Sequence, residues 1–170
     1  MRFCRWLLVC LVALGASGCA GYRLGPVSGL PAREKSVQVN PFANKTLEPR
    51  LGDAVTAQLR KQLQRDGTYQ LASHNDGDIV LSGSITRYGR LELSYVATDI
   101  LTVRDYRLEL TAQVTARERS TGKVILDQPV TGTTIIRVTS DLTSTERQSL
   151  PLLAADFASK VTELLAEGGW

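Results

Sequence analysis

From Tyr106 to Ala116 the chain alternates without a break: Tyr106, Leu108, Leu110, Ala112, Val114 and Ala116 take the even positions, with Arg107, Glu109, Thr111, Gln113 and Thr115 between them. Successive strand side chains point to opposite faces, so this run fits a strand with one buried apolar face and one polar face. A helix would scatter the same residues around its whole circumference. The remaining sequence must therefore supply neighbouring strands and a layer that covers the apolar side.

The neighbours can be read on both sides. Ile79, Leu81 and Ile85 alternate in the same way, and Leu91, Leu93 and Tyr95 keep their parity beyond Gly89, which predicts one strand over 78–95, bent near that glycine, with these residues on one face. Ser120-Thr121-Gly122-Lys123 is a turn into a further strand over 124–138, giving an antiparallel meander. Pro129 has no N–H to donate, so that strand needs an edge position or a bulge. Upstream, a first strand is expected over 35–42, with Val37 and Val39 on one face, ending near Pro41. A short strand over 68–72 then precedes the polar turn 73–77.

Two segments have helical spacing. Leu51, Val55, Leu59 and Leu63 recur every four residues within 49–66, forming one apolar stripe that Gly67 terminates. Leu150, Leu153, Phe157, Val161 and Leu164 form a second stripe, with Thr143 and Glu146 ahead of it in capping-box register. Pro151 leaves two readings: a helix that kinks there, or one that starts at Ser149 with the proline in its first turn. The expected fold class is α+β, a mainly antiparallel sheet of four strands or slightly more, with two helices packed on one face.

Chemistry-bearing clusters are sparse. His74 is the single histidine and sits in a polar turn with Asn75, Asp76 and Asp78. A metal site would need more ligands at a recognised spacing, so a solvated loop histidine is the stronger reading, and Asp76-Gly77-Asp78 is turn chemistry. No nucleophile-elbow pattern and no phosphate-cradling glycine loop is present, so the expectation is a non-enzymatic protein without metal or cofactor. The polar face of the sheet has two readings of similar weight: an ordinary solvated surface, or a surface resting against a polar partner.

The first residues form three zones. Arg2 and Arg5 precede an apolar run from Trp6 to Leu14, and Gly15, Ala16, Ser17 and Gly18 lead to Cys19. The run is about half of the roughly 20 residues a membrane-spanning helix requires, so it reads as a secretion signal. Small residues followed at once by a thiol are what a lipoprotein peptidase and diacylglycerol transfer need, which makes Cys19 a lipidation site. The resulting segments are a signal over 1–18, a lipidated tether over 19–34 rich in glycine and proline, and one domain over 35–170. Ala20 after the cysteine, rather than an acidic residue, favours sorting to the outer membrane. Cys4 and Cys10 leave with the signal, so no disulfide forms afterwards. Without Arg2 and Arg5 the formal charge of the 20 basic and 17 acidic residues falls to about +1, which does not fit a nucleic-acid binder.

Several stretches resemble the LptE family of lipopolysaccharide-assembly lipoproteins. They are Gly21-Tyr22-Arg23-Leu24 just after the lipidated cysteine, Val37 and Val39 leading to Phe42-Ala43-Asn44-Lys45-Thr46, and Asp78-Ile79-Val80-Leu81-Ser82-Gly83-Ser84-Ile85. Tyr106-Arg107-Leu108 and the Thr121-Gly122 turn complete the order. Ala20 ahead of Gly21, and Gly77 ahead of Asp78, depart from the family pattern by one small residue each. The resemblance implies two helices on a four-stranded sheet, in an outer-membrane lipoprotein that faces the periplasm. It also implies plugging and assembly of the LptD barrel, and delivery of lipopolysaccharide to the outer leaflet. Lipopolysaccharide would be bound by basic residues near strand ends. No motif fixes which, and Arg90, Arg104, Lys123 and Arg137 are candidates from their places in or beside turns, set against ordinary solvated charges. The runner-up is a lipoprotein activator of peptidoglycan synthesis of the LpoB kind, similar in its lipobox and at Phe42, Asn44 and Thr46; a mixed sheet with more helical connections between strands would then be expected, and 78–138 shows no convincing helix.

Overall fold

The structure is a computed structural model that describes residues 35–139 and 141–167. The signal, the tether and Cys19 lie outside the described residues. In chain order the elements are β1 (Ser36–Val39), β2 (Ala43–Asn44), α1 (Leu51–Asp66), β3 (Gln70–Leu71), β4 (Ile79–Val96), β5 (Asp99–Glu118), β6 (Val124–Arg137) and α2 (Leu142–Glu167).

The alternation over 106–116 sits inside β5, the second-to-last strand of a sheet ordered β3-β1-β4-β5-β6. Leu108, Leu110, Ala112, Val114 and Ala116 are fully buried, and their partners across β4 include Ile85 and Leu81. Antiparallel pairing of β4 with β5 and of β5 with β6 makes the expected meander. No helix interrupts β4 to β6.

The sheet is mixed, not mainly antiparallel, and it has six strands. β1 runs parallel to both β3 and β4, and β2 adds in parallel to β4 further along the same edge. The cause is α1: it leaves the distal end of β1 and returns the chain to the starting end, so β3 re-enters in the same direction as β1, as helical crossovers do. The strand expected over 35–42 is β1, which stops at Val39 just before Pro41, and the edge resumes beyond the proline as β2, with the register kept through Asn40 N–H to Leu81 O at 2.9 Å and Lys45 N–H to Ile85 O at 3.0 Å.

β4 also departs from expectation. Its break is not at Gly89 but at Thr86, where the register steps from Ile85 opposite Ala112 to Arg87 opposite Thr111. One extra residue reverses facing. Tyr88 and Arg90 thereby come opposite the core residues Leu110 and Leu108, while Leu91 comes opposite Arg107 on the polar face. Leu91, Leu93 and Tyr95, expected on the buried face, are exposed.

Both helices cover the apolar face. Leu51, Val55, Leu59 and Leu63 of α1 are buried, each contributing about 1.5–3 kcal/mol. Gly67 ends α1 in the left-handed region at φ 74°, with its N–H on Leu63 O. α2 runs through Pro151 as one helix from Leu142, so it does not begin at Ser149. Its cap is Asp141, which accepts from the Ser144 N–H at 2.8 Å, and not Thr143. Two glycines on the apolar face receive two phenylalanines: a Cβ on Gly83 would lie 2.4 Å from the Phe42 ring, and one on Gly132 would lie 2.6 Å from Phe157 Cβ. The Phe42 and Phe157 rings meet edge to face with centroids 6.1 Å apart, locking the loop after β1 to α2.

Candidate functional site

The face of the sheet opposite the helices is built from the odd positions of β5. Glu109, Thr111, Gln113 and Thr115 are half-buried there, shaded by one another across the strands. Their row neighbours are Ser84 and Ser82 on β4 and Thr133, Thr131, Pro129 and Asp127 on β6. The Thr111 and Thr131 hydroxyls bond at 3.0 Å, and Gln113 Nε2 donates to Asp127 Oδ1 at 2.7 Å. Such cross-strand pairs stabilise the sheet without closing its surface, since each hydroxyl and amide retains further hydrogen-bonding capacity. The centre of this face is thus rich in donors and acceptors, with Arg87, Glu109 and Asp127 as its charged members.

Toward the far end from Lys35 the face changes character. Leu91, Arg107 and Ile135 form one row, with Leu91 49% and Ile135 64% exposed. In the next row Asp105 gathers two guanidinium groups, Arg137 Nε at 2.8 Å and Arg104 Nε at 3.0 Å, and also accepts from the Ser94 hydroxyl. These bonds, Arg137's first, hold the Asp105 carboxyl well below the usual carboxylate range. Beyond Arg137 β6 stops, whereas β4 and β5 pair on as far as Val96 and Asp99. This end is a two-stranded ribbon carrying Tyr95 and the 88% exposed Leu101.

The opposite end is tied together by polar side chains. Gln38, buried in β1, donates to Asn40 Oδ1 and Asn75 Oδ1 at 2.6 Å each, and accepts from Arg119, whose Nε also reaches Gly77 O at 2.7 Å. Lys35 pairs with Glu118 at 3.0 Å. Asp78 accepts from both the N–H and the hydroxyl of Ser36, which lowers its pKa. This network fixes the entry of the domain against the β5–β6 turn, where Gly122 adopts φ 71°.

A groove of about 780 Å³ opens on the helix side of β4, lined by Lys45, Leu47, Glu48, Arg87, Tyr88 and Glu146 among others. Glu146, buried near the start of α2, accepts from the Tyr88 hydroxyl and pairs with Arg90 at 3.1 Å. Burial, and next the Glu146 acceptor, push the Tyr88 hydroxyl far above its ordinary range, so it remains a proton donor to the carboxylate. Among the described residues lining the groove, the buried carboxylate, Glu146, is thus engaged by both Tyr88 and Arg90.

Of the four basic candidates the structure brings Arg104 and Arg137 together on Asp105. Arg90 lies on the other face with Glu146, and Lys123 is in the turn at the opposite end of the strands. His74 is exposed in the turn before β4. Among the described residues no group of three His, Cys, Asp or Glu side chains could hold a metal, and no helix is long and apolar enough to cross a membrane. Sequence reasoning missed Asp105, although an acid between Arg104 and Arg107 on the polar parity was a visible signal. It also missed Glu146 as a buried acceptor, because its partners come from β4, far away in the sequence.

Comparison with known proteins bears on this geometry. The family model described as LptE, lipopolysaccharide-assembly, matches residues 34–166. No curated protein sequence matches the chain. Among solved structures, a protein from Xanthomonas campestris superposes with a TM-score of 0.58 at 11% identity, covering 88% of this chain and 94% of that one. A protein from Chlamydia trachomatis gives 0.56 at 8% identity over 78% and 95%. A minor lipoprotein from Acinetobacter baumannii gives 0.50 at 16% identity over 78% and 92%. At these identities the likeness is one of fold.

Proposed function

The chain belongs to the LptE family of lipopolysaccharide-assembly proteins, and from that premise we propose that it is an outer-membrane lipoprotein, anchored through Cys19, that seats its polar sheet face inside the LptD barrel. The observation that carries this reading is the uncovered face of β4, β5 and β6, whose centre of Ser, Thr and Gln matches the polar lining of a large barrel's lumen. On the order of 60 Å of β4, at about 3.3 Å per residue, is long enough to reach deep into such a lumen.

In this arrangement the anchor end of the domain stays on the periplasmic side, near the tether over 19–34, and the ribbon points into the barrel. On this reading the protein assists barrel assembly and lipopolysaccharide delivery. Arg104 and Arg137 are the proposed contacts for lipopolysaccharide phosphates. Two guanidinium groups share one carboxylate there, which leaves donors free for a doubly charged anion.

Co-expression with candidate partners tests the reading. The lipidated chain is expected to purify with a large outer-membrane barrel. Recovery of a penicillin-binding synthase without a barrel would instead establish the peptidoglycan-synthesis alternative.

A further inference from the structure

β6 is a fourteen-residue edge strand, and a long unpaired edge is a template for another strand. In an antiparallel ladder each residue turns both its N–H and its C=O toward the same side, so the β6 residues that do not bond β5 present both groups at the open edge. Thr131 and Thr133 are such residues, and one edge group of each is already occupied. Asp156 of α2 accepts from the Thr133 N–H at 2.8 Å, and Lys160 donates to the Thr131 carbonyl at 3.0 Å. Asp156 and Lys160 also pair with each other at 2.8 Å, one helical turn apart. Two side chains thus supply the C=O and N–H that a neighbouring strand would bring. They reach the edge because Gly132 lets Phe157, next to Asp156, sit directly on β6. Pro129, at the same parity, has no N–H to offer.

We infer that the Asp156–Lys160 pair guards the β6 edge, and that the strand it excludes is β6 of a second copy of this chain. Self-complementarity singles out that partner. In an antiparallel β6–β6 pair centred on Gly132, Thr131 lies opposite Thr133 of the second copy, Pro129 opposite Ile135, and Asp127 opposite Arg137. Threonine pairs, an exposed aliphatic side chain on a proline ring, and opposite charges are all favourable cross-strand pairs. The central pair would need the Thr131 carbonyl and the Thr133 N–H, the two groups the guard now holds. Asp156 occupies the place of the second copy's Thr131 carbonyl and Lys160 that of its Thr133 N–H. The guard keeps the domain single, and its release exposes a twofold interface.

The test is the protein mass of the full lipidated chain in detergent, from light scattering corrected for bound detergent. The unaltered chain is expected to be monomeric, and Asp156→Ala with Lys160→Ala is expected to shift it to about twofold mass at the same concentration. Adding Thr133→Pro removes the central donor and is expected to restore the monomer. Lys160→Met alone, which frees only one carbonyl and keeps the helix apolar contacts, is expected to dimerise at higher concentration, while Lys160→Arg stays monomeric. A double variant that keeps its far-ultraviolet circular dichroism and remains monomeric overturns the inference. So does a dimer that persists with Thr133→Pro, and, if the double variant unfolds, a Lys160→Met chain that never dimerises.

Discussion

Asp105 is the residue on which the far end of the polar face is organised, and its chemistry sets a pH dependence. Its folded carboxyl titrates well below the value near 4 of an unfolded aspartate, because Arg137, Ser94 and Arg104 bond the ionised form. A depressed folded pKa contributes stability that is complete above the unfolded value and is lost as pH falls from there toward the folded one. Thermal unfolding of Asp105→Asn should therefore lie below that of the unaltered chain at neutral pH, with the gap closing as pH drops below about 4. A gap that stays constant from neutral to acid pH would contradict this account of the cluster. The acid itself was readable, since it continues the polar parity of Tyr106–Ala116 backwards by one position. Its partners were not: Arg137 reaches it only through the β5–β6 register, and Ser94 only after the second register shift in β4.

At the scale of elements, periodicity made the long pieces legible; of the short ones, the strand expected over 68–72 is present as β3, and β2 was not foreseen. Eleven alternating residues define β5, and four leucine and valine positions define α1, because each repeats its pattern several times. β2 and β3 have two residues each and show no period at all; their parallel pairing follows from the α1 crossover rather than from their own sequence. The bulge at Thr86 was invisible for a different reason: Leu91, Leu93 and Tyr95 keep perfect parity in the sequence, and only the pairing shows that one inserted residue puts Leu91 on the polar face and that further register shifts follow beyond Glu92. α2 carries its own anomaly. Pro151 sits in the helix interior on its exposed side, removing one backbone hydrogen bond where no packing needs the ring. Pro151→Ala should accordingly stabilise the domain, by up to ~3 kcal/mol. Urea unfolding reads the change directly, and a lowered midpoint would show that the ring does structural work at that turn.

The whole molecule is asymmetric in a way that matches its proposed task. One face is sealed by two helices, with the loop after β1 locked to α2 through Phe42 and Phe157, and the other is a broad polar surface. The entry end is cross-tied by Gln38, Arg119 and Asp78, while the other end runs out into a bare ribbon. The layered architecture and the one-sided burial were legible from alternation alone. The family followed from motifs such as Phe42 to Thr46, whose role here is to anchor a loop against Gly83 and α2. The edge guard was not legible, because Asp156 and Lys160 look like an ordinary surface pair until β6 is seen beneath them. The central claim is that the polar face, not the entry end, meets the barrel. A photocrosslinking amino acid placed at Gln113, on that face, should capture LptD in cells, and the same group at the exposed Gln64, near the end of α1, should not. Capture from Gln64 with none from Gln113 would contradict the account.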